Sequence, residues 1–474
     1  MRTFSPIDDS VVWEGDETPA GDVSAIMQRS ETAGQLWRRT SLTEKFEVVR
    51  RYSQYIADHR EDITNLISRE VGKLPWDAAG EVNAAIAKAE VSIQALQERR
   101  GDRTIDPGPP SRIIRYQPLG VTLVLGPFNF PLHLPGGQII PALLAGNSVV
   151  MKPSEQATAV ADWMNNAWQE AGLPQDVFQL IYGRVAPATA AIDSPRVKGV
   201  FLTGGRGAGQ AIHKQLAGRY DVLLALELGG NNPIVICPDV DETSVGNTVS
   251  FSAFISAGQR CTCARRAFFV EGEATATQVA AVVETTKRLR VGLPDEDPVP
   301  QVGPIISAEA ASGLRKTYDQ MVRLGCKELV AWKQDSRREN LVYPVVLDAS
   351  KLNDDASREL AQLEWFGPML VIHRAANFDA ALRRAAETSY GLAASLLGGD
   401  QELFDRFVDE VGAGVVNWNR ATTGAAGALP FGGLGHSGNH RPAGYFAIDF
   451  CSDPVASLES KEVSSDNPWA IAKS

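Results

Sequence analysis

The stretch VKGVFLTGGRGAGQAIHKQLAG, Val197 to Gly218, reads as a strand, a glycine-rich turn and a helix. The strand ends at Thr203 and the turn occupies Gly204 to Gly209. Short apolar runs recur on either side: VTLVLG, SVVMKP and VFQLIYG before it, VLLALELGG and NPIVIC after it. Helix-like segments such as EQATAVADWMNNAWQEAG separate most of them. Strands alternating with helices predict a parallel, doubly wound α/β sheet. Such a sheet binds ligands at the carboxyl ends of its strands.

The alternation resumes from about 239 to 440. Helix-like stretches at 278–290, 307–324, 378–389 and 401–412 stand between strands such as RAFFVEG, PMLVIHR and AGVVNWN. This predicts a second α/β domain. Residues 22–100 read as a helical layer, with Phe46, Val49, Tyr52 and Ile56 on one face. SRIIRYQP, 111–118, has strand composition between proline-rich breaks and suits an edge or arm strand. Tyr116 to Met151 carries no charged residue, but its prolines forbid one spanning helix. It reads as buried structure, with no membrane partner.

A chain of 474 residues has room for two or three domains. With 44% apolar and 22% charged residues it can bury a large core. The formal charge of −11 argues against nucleic acid as the main partner, while leaving room for an anionic small molecule in a locally basic pocket. Five cysteines form no paired framework and fit a reducing cytosol. The N-terminus lacks the basic start and apolar core of a signal peptide, so a cytoplasmic location is expected. Cys261 and Cys263 suggest a metal only superficially. A structural zinc site wants four ligands and the six histidines do not cluster nearby, so no metal is expected.

Several motifs carry possible chemistry. The turn Gly204 to Gly209 opens a helix, and helix N-termini present free N–H groups to phosphate; such turns also serve plain tight packing. A literal G-x-G-x-x-G at Gly433, Gly435 and Gly438 follows no clear strand, opens no helix and lies too near the chain end for a nucleotide domain, so it reads as a loop. Lys152 and Glu155 in MKPSE could grip ribose hydroxyls or form a surface pair. Glu155 would repel a 2′-phosphate, which favours NAD over NADP. Asn129 in GPFNFP caps a turn or directs its amide at an oxyanion. Cys261 follows the apolar run FSAFISAG, which reads as a helix, and Glu227 lies upstream in LELGGNN. A cysteine in isolation is more often inert than reactive.

Together GPFNFP, GNSVVMKPSE, LTGGRGAG, LELGGNNP, GQRCTC, EWFGP and PFGGLGHSG, in this order, resemble the NAD(P)-dependent aldehyde dehydrogenase superfamily over nearly the whole chain. The resemblance implies three parts: an NAD-binding domain (1–98 and 119–230), a catalytic domain (231–442) and an oligomerisation arm and tail (99–118 and 443–474). It implies a homodimer or homotetramer. It makes Cys261 the nucleophile, Glu227 the general base and Asn129 the oxyanion donor. Lys152 and Glu155 would hold the adenosine ribose. Gly204, Gly205, Arg206, Gly207, Ala208 and Gly209 would lie along the pyrophosphate. Glu364 and Phe366 would position the nicotinamide ribose and ring. A free thiol has pKa ~8.5, so Cys261 needs activation, expected from a nearby helix N-terminus, Glu227 or Arg260.

GQRCTCARR, VVNWNR, TTGAA, PFGGLGHSGNHRP and PVASLES resemble a branch that oxidises an acidic semialdehyde bearing two carboxylates. Gly435 stands where the wider family usually has Lys, and His440, Arg441 and Pro442 where it has Gly-Arg-Glu. Leu202 and Gly205 replace a frequent Phe and Ser. An acidic protein must place local cations for such a substrate; Arg260, Arg420, His440 and Arg441 are the candidates, with structural ion pairs as the alternative. Competing readings are another acidic semialdehyde, such as that of glutamate or succinate, acyl transfer to coenzyme A, and a non-catalytic protein of the same fold.

Overall fold

A computed structural model describes residues 1–424 and 426–463, so the end of the expected tail, 464–474, lies outside the described residues. The N-terminal layer consists of helices Val23–Trp37, Leu42–Asp58, Arg60–Val71 and Pro75–Arg99. Ser41 starts the second by accepting from the Glu44 N–H, the side-chain cap that free N-terminal donors favour. Its Val49, Tyr52 and Ile56 are buried and Phe46 is half-buried. Tyr52 stacks on Trp168 at 3.6 Å, which fixes this layer on helix Thr158–Glu170.

Beneath it lies a five-stranded parallel sheet. Its spatial order is Phe178–Leu180, Ser148–Lys152, Val121–Leu125, Val197–Thr203, Leu223–Glu227. The order reverses between Val121–Leu125 and Val197–Thr203, the crevice where open α/β sheets bind ligands. Strands Val121–Leu125 and Ser148–Lys152, flanking helix His133–Ala145, are buried throughout, which explains the charge-free composition of 116–151. Among the described residues no helix is long and apolar enough to cross a membrane.

A second sheet has seven strands in the order Lys327–Val330, Val345–Asp348, Met369–Ala375, Ala264–Val270, Asn232–Ile236, Ala393–Leu397, Val415–Trp418. All pairings are parallel except the first, so the second alternation ends in one antiparallel edge. Leu228 to Asn231 join the last strand of the first sheet to the first strand of the second. The arm is a three-stranded antiparallel sheet with Ser111–Pro118 at its centre, between Arg103–Asp106 and Ser452–Glu459. Arg115 ties it together, bridging Asp102 at 3.0 Å and Glu459 at 2.6 Å.

Candidate active site

The run before Cys261 is helical only in part. Helix Glu242–Phe254 stops at Phe254, and Ser256, Ala257 and Gly258 then take left-handed φ values of 55°, 54° and 70°. A side chain at Gly258 would collide with the Gly367 carbonyl, its Cβ lying 2.2 Å away, so the chain can pass there only as glycine. Left-handed backbone at two non-glycine residues is costly and must be held by its surroundings. Here the carbonyls are tied down in succession. Arg265 donates to Gly258 (2.8 Å) and Arg260 (3.1 Å). Asn129 Nδ2 donates to Gln259 (2.9 Å), and Asn232 Nδ2 to Cys261 (2.7 Å) and Cys263 (2.8 Å). Cys261 is left half-buried in a turn ahead of strand Ala264–Val270, while Cys263 is buried. No helix begins at this turn, which removes the expected helix N-terminus as a source of thiol activation.

Glu227 ends its strand under the glycine-rich C-terminal loop. Its Oε1 accepts from the Ala443 N–H at 3.2 Å, and its Oε2 is buried without a partner. The loop adds to the strand edge: Gly438 bridges Glu227, Leu228 donates to Ser437, and Asn439 exchanges bonds with Leu226 and Leu224. The Gly433–Gly438 run opens no helix, as expected; Leu434–Gly435 within it pairs with Tyr390–Gly391, and the run backs the candidate base. Burial pushes the Glu227 carboxyl well above the usual carboxylate range. Burial, then the Glu227 carboxylate, pushes the Cys261 thiol up to about 12, against the pull of Arg265 and Arg260.

Cys261, Glu227 and Asn129 line one cleft of about 750 Å³ together with Lys152, Glu155, Gly204, Gly205, Ala208, Glu364 and Phe366. The cleft fits a dinucleotide. It runs past the sheet's switch point, and helix Arg206–Gln215 starts at Gly205 with no side-chain cap. A Cβ at Gly205 would meet nothing within 4 Å, which leaves room for a phosphate beside the helix N-terminus. Lys152 donates to the Pro153 and Gly183 carbonyls and lies 3.7 Å from Glu155. Gly209 packs against Leu228, and Arg206 stands over the Tyr390 ring; neither they nor Gly207 line the cleft. Glu364 lies against Gly229, where a Cβ would sit 1.4 Å from its Oε1. Phe366 meets Phe128 edge-on at 5.9 Å.

The four expected substrate cations are not gathered. Arg260 is engaged by Asp77 at 2.6 Å and by Ser256 at 2.8 Å, so it takes the ion-pair alternative. Arg420, His440 and Arg441 are exposed. Among the described residues that line the cleft, none of the four appears. Asn232, Arg265, Asp77 and Asn439 were missed as positioning groups. Asn232 and Arg265 stand within LELGGNNP and GQRCTCARR and were there to be weighed; Asp77, inside an ordinary helical pattern, gave no signal.

This fold and cleft are those of an oxidoreductase class: the chain belongs to the aldehyde dehydrogenase family, whose pattern matches residues 1–455. It is an aldehyde dehydrogenase. It is 41% identical over 459 residues to N-succinylglutamate 5-semialdehyde dehydrogenase of Chromobacterium violaceum, with 97% of this chain and 93% of that one covered. The protein of the same name from Burkholderia cenocepacia is 41% identical over 461 residues at the same coverage. Among solved structures, glyceraldehyde-3-phosphate dehydrogenase GapN from Methanocaldococcus jannaschii complexed with NADP superposes with a TM-score of 0.89 at 25% identity, covering 97% of this chain and 99% of that one.

Proposed function

We propose that the protein oxidises N-succinyl-L-glutamate 5-semialdehyde to N-succinyl-L-glutamate with NAD, in the cytoplasm, as a step of arginine catabolism by the succinyltransferase route. The observation that carries the chemistry is the single cleft lined by Cys261, Glu227 and Asn129 together with Lys152 and Glu155. The substrate follows the relatives' shared name.

In this reading the Cys261 thiol releases its proton to water in the cleft as the sulfur bonds to the aldehyde carbon. The Asn129 amide has one N–H committed to the Gln259 carbonyl and a second free for the oxyanion of the resulting thiohemiacetal. Losing one such donor typically costs ~10²–10³ in rate. A bound nicotinamide supplies the hydride acceptor, and a Cys261 thioester remains. Glu227, with one carboxylate oxygen unpartnered and a raised proton affinity, takes a proton from water to hydrolyse it. Lys152 and Glu155 would hold the adenosine ribose, and the Glu155 carboxylate favours NAD over NADP. Glu364 would orient the nicotinamide ribose. The arm's exposed edges suit self-association into a homodimer or homotetramer.

The test is reduced-cofactor formation with NAD and the succinylated semialdehyde, beside glutamate and succinate semialdehydes and NADP. A kcat/KM for the succinylated substrate at least about tenfold above the others is expected, a difference of about 1.4 kcal/mol in transition-state binding. Equal low efficiency on all aldehydes would refute the substrate assignment and leave the cysteine chemistry standing.

A further inference from the structure

Asn129 is anchored one peptide away from the nucleophile. Its Nδ2 donates to the Gln259 carbonyl at 2.9 Å, and the next peptide, Arg260 to Cys261, carries the Cys261 N–H. Among the described residues that N–H has no acceptor, and Cys261 lines the cleft. The carbonyl end of the same peptide is heavily engaged. The Arg260 oxygen accepts from the Cys263 N–H at 3.1 Å and from Arg265 Nη2 at 3.1 Å.

Arg265 is a charged donor without a counter-charge. It is 1% exposed, and among the described residues no carboxylate lies within 4.0 Å of its guanidinium. Its hydrogen bonds go to carbonyls: Gly258 at 2.8 Å, Arg260, and Gly367 at 3.1 Å. Gly258 and Arg260 belong to the turn before Cys261, and Gly367 follows Glu364 and Phe366, which line the cleft. The guanidinium is therefore fixed from two sides of the site. Burial lowers its proton affinity, but a guanidinium keeps its charge in a protein. Arg266, equally buried, bonds instead to Asn231 and to the Arg384 and Ala385 carbonyls, none of them in the turn. Arg260 has its own charge taken up by Asp77.

We propose that Arg265 is a positioning residue for the oxyanion. Bonded to the Arg260 carbonyl, it polarises the peptide and makes the Cys261 N–H the second donor, beside Asn129, to the thiohemiacetal oxygen. The inference rests on the cysteine reading above. Hydrogen bonds in a chain strengthen one another, and a charged donor at one end of a peptide strengthens the N–H at the other in a low-dielectric site. As the sulfur bonds to the aldehyde carbon, the carbonyl π pair moves to oxygen, and negative charge develops beside this N–H. A dipole fixed beforehand costs no reorganisation at that moment. The bound aldehyde oxygen carries less charge and gains less, so the effect falls on rate more than on affinity.

The experiment measures two rates in the wild type and in Arg265→Lys, which keeps a charge but not the fork that reaches three carbonyls. The first is single-turnover formation of reduced cofactor, with enzyme and NAD in excess over the semialdehyde that the wild type oxidises fastest. It should fall about 10- to 100-fold, short of the ~10²–10³ typical of losing a donor outright, with KM for the aldehyde little changed. The second is alkylation of Cys261 by iodoacetamide, which needs the sulfur but forms no oxyanion; it should stay within about threefold of the wild type. An unchanged turnover rate, or an equal loss of both rates, overturns the proposal and leaves Arg265 a brace of the turn. Because the variant may not fold, the wild type is also labelled with heavy nitrogen at cysteine. The Cys261 amide proton resonance, identified by its loss in Cys261→Ala, should move downfield at saturating semialdehyde without cofactor. A resonance that stays in place overturns the N–H as a donor, and the role of Arg265 with it. A Cys261→Ala enzyme that still reduces NAD would instead refute the cysteine reading itself.

Discussion

At the scale of single residues, the chemistry turns on Cys261 and Glu227 in one cleft, where burial raises the proton affinity of both and the Glu227 carboxylate raises that of Cys261 further. Removing the Glu227 charge lowers the thiol pKa, because the carboxylate opposes thiolate formation. The same change removes the group that activates water. In Glu227→Gln, acylation should therefore survive while hydrolysis stalls. Rapid mixing should show a burst of reduced cofactor near one equivalent per site, then a steady rate about 10²–10⁴-fold below wild type. Alkylation of Cys261 by iodoacetamide should be no slower than in the wild type. Absence of the burst would assign Glu227 to the first proton transfer instead.

At the scale of elements, helix Pro75–Arg99 braces both sides of the cleft. Glu81 accepts from the Leu132 and His133 N–H groups at 2.9 and 3.1 Å and holds Lys73. Lys73 in turn covers the Phe130 ring at 3.3 Å, next to Asn129, with Arg260 over the same ring at 5.1 Å. One helix thus ties the Asn129 loop to the Cys261 turn. Glu81→Ala leaves a buried ammonium and two N–H groups unmatched. It should lower the unfolding free energy by about 3–5 kcal/mol, read from the urea midpoint. An effect below about 1 kcal/mol would mean that water or rearrangement fills the gap.

At the scale of the whole molecule, two buried neutral histidines set an acid limit. His373 lies in the middle of the seven-stranded sheet, stacked on Phe268 at 4.6 Å with both ring nitrogens unpartnered. Burial, then Arg266 and Arg384, hold its protonation well below the usual range, and His133 is held down to about 4. Their folded-state values lie below an unfolded value near 6.5. The unfolded chain then binds more protons as pH falls, so this stability is present above about pH 6.5 and lost below it. Each histidine adds up to about 1.4 kcal/mol per pH unit to that slope. The thermal midpoint should drop between about pH 6.5 and 4.5, and His373→Leu should flatten the fall; an unaltered slope would clear His373.

The sequence determined the class of fold. Alternating apolar runs with helical spacers are local patterns, and they located the strands, the N-terminal layer and the arm strand Ser111–Pro118. It also set the motifs in order, from GPFNFP to PFGGLGHSG, and with them the side chains now found around one cleft. What it left undecided is everything fixed by contacts distant in the chain. Periodicity ran the helix through to Gly258; the Gly367 carbonyl and the Asp77–Ser256 bond decide the left-handed path instead. Composition offered four cations for a carboxylate; tertiary pairing neutralised Arg260 across 183 residues of chain and left the other three off the cleft lining. Glu227 depends on an N–H 216 residues further on. Burial and partner choice are properties of the packed whole, and a linear pattern carries no record of which charge meets which.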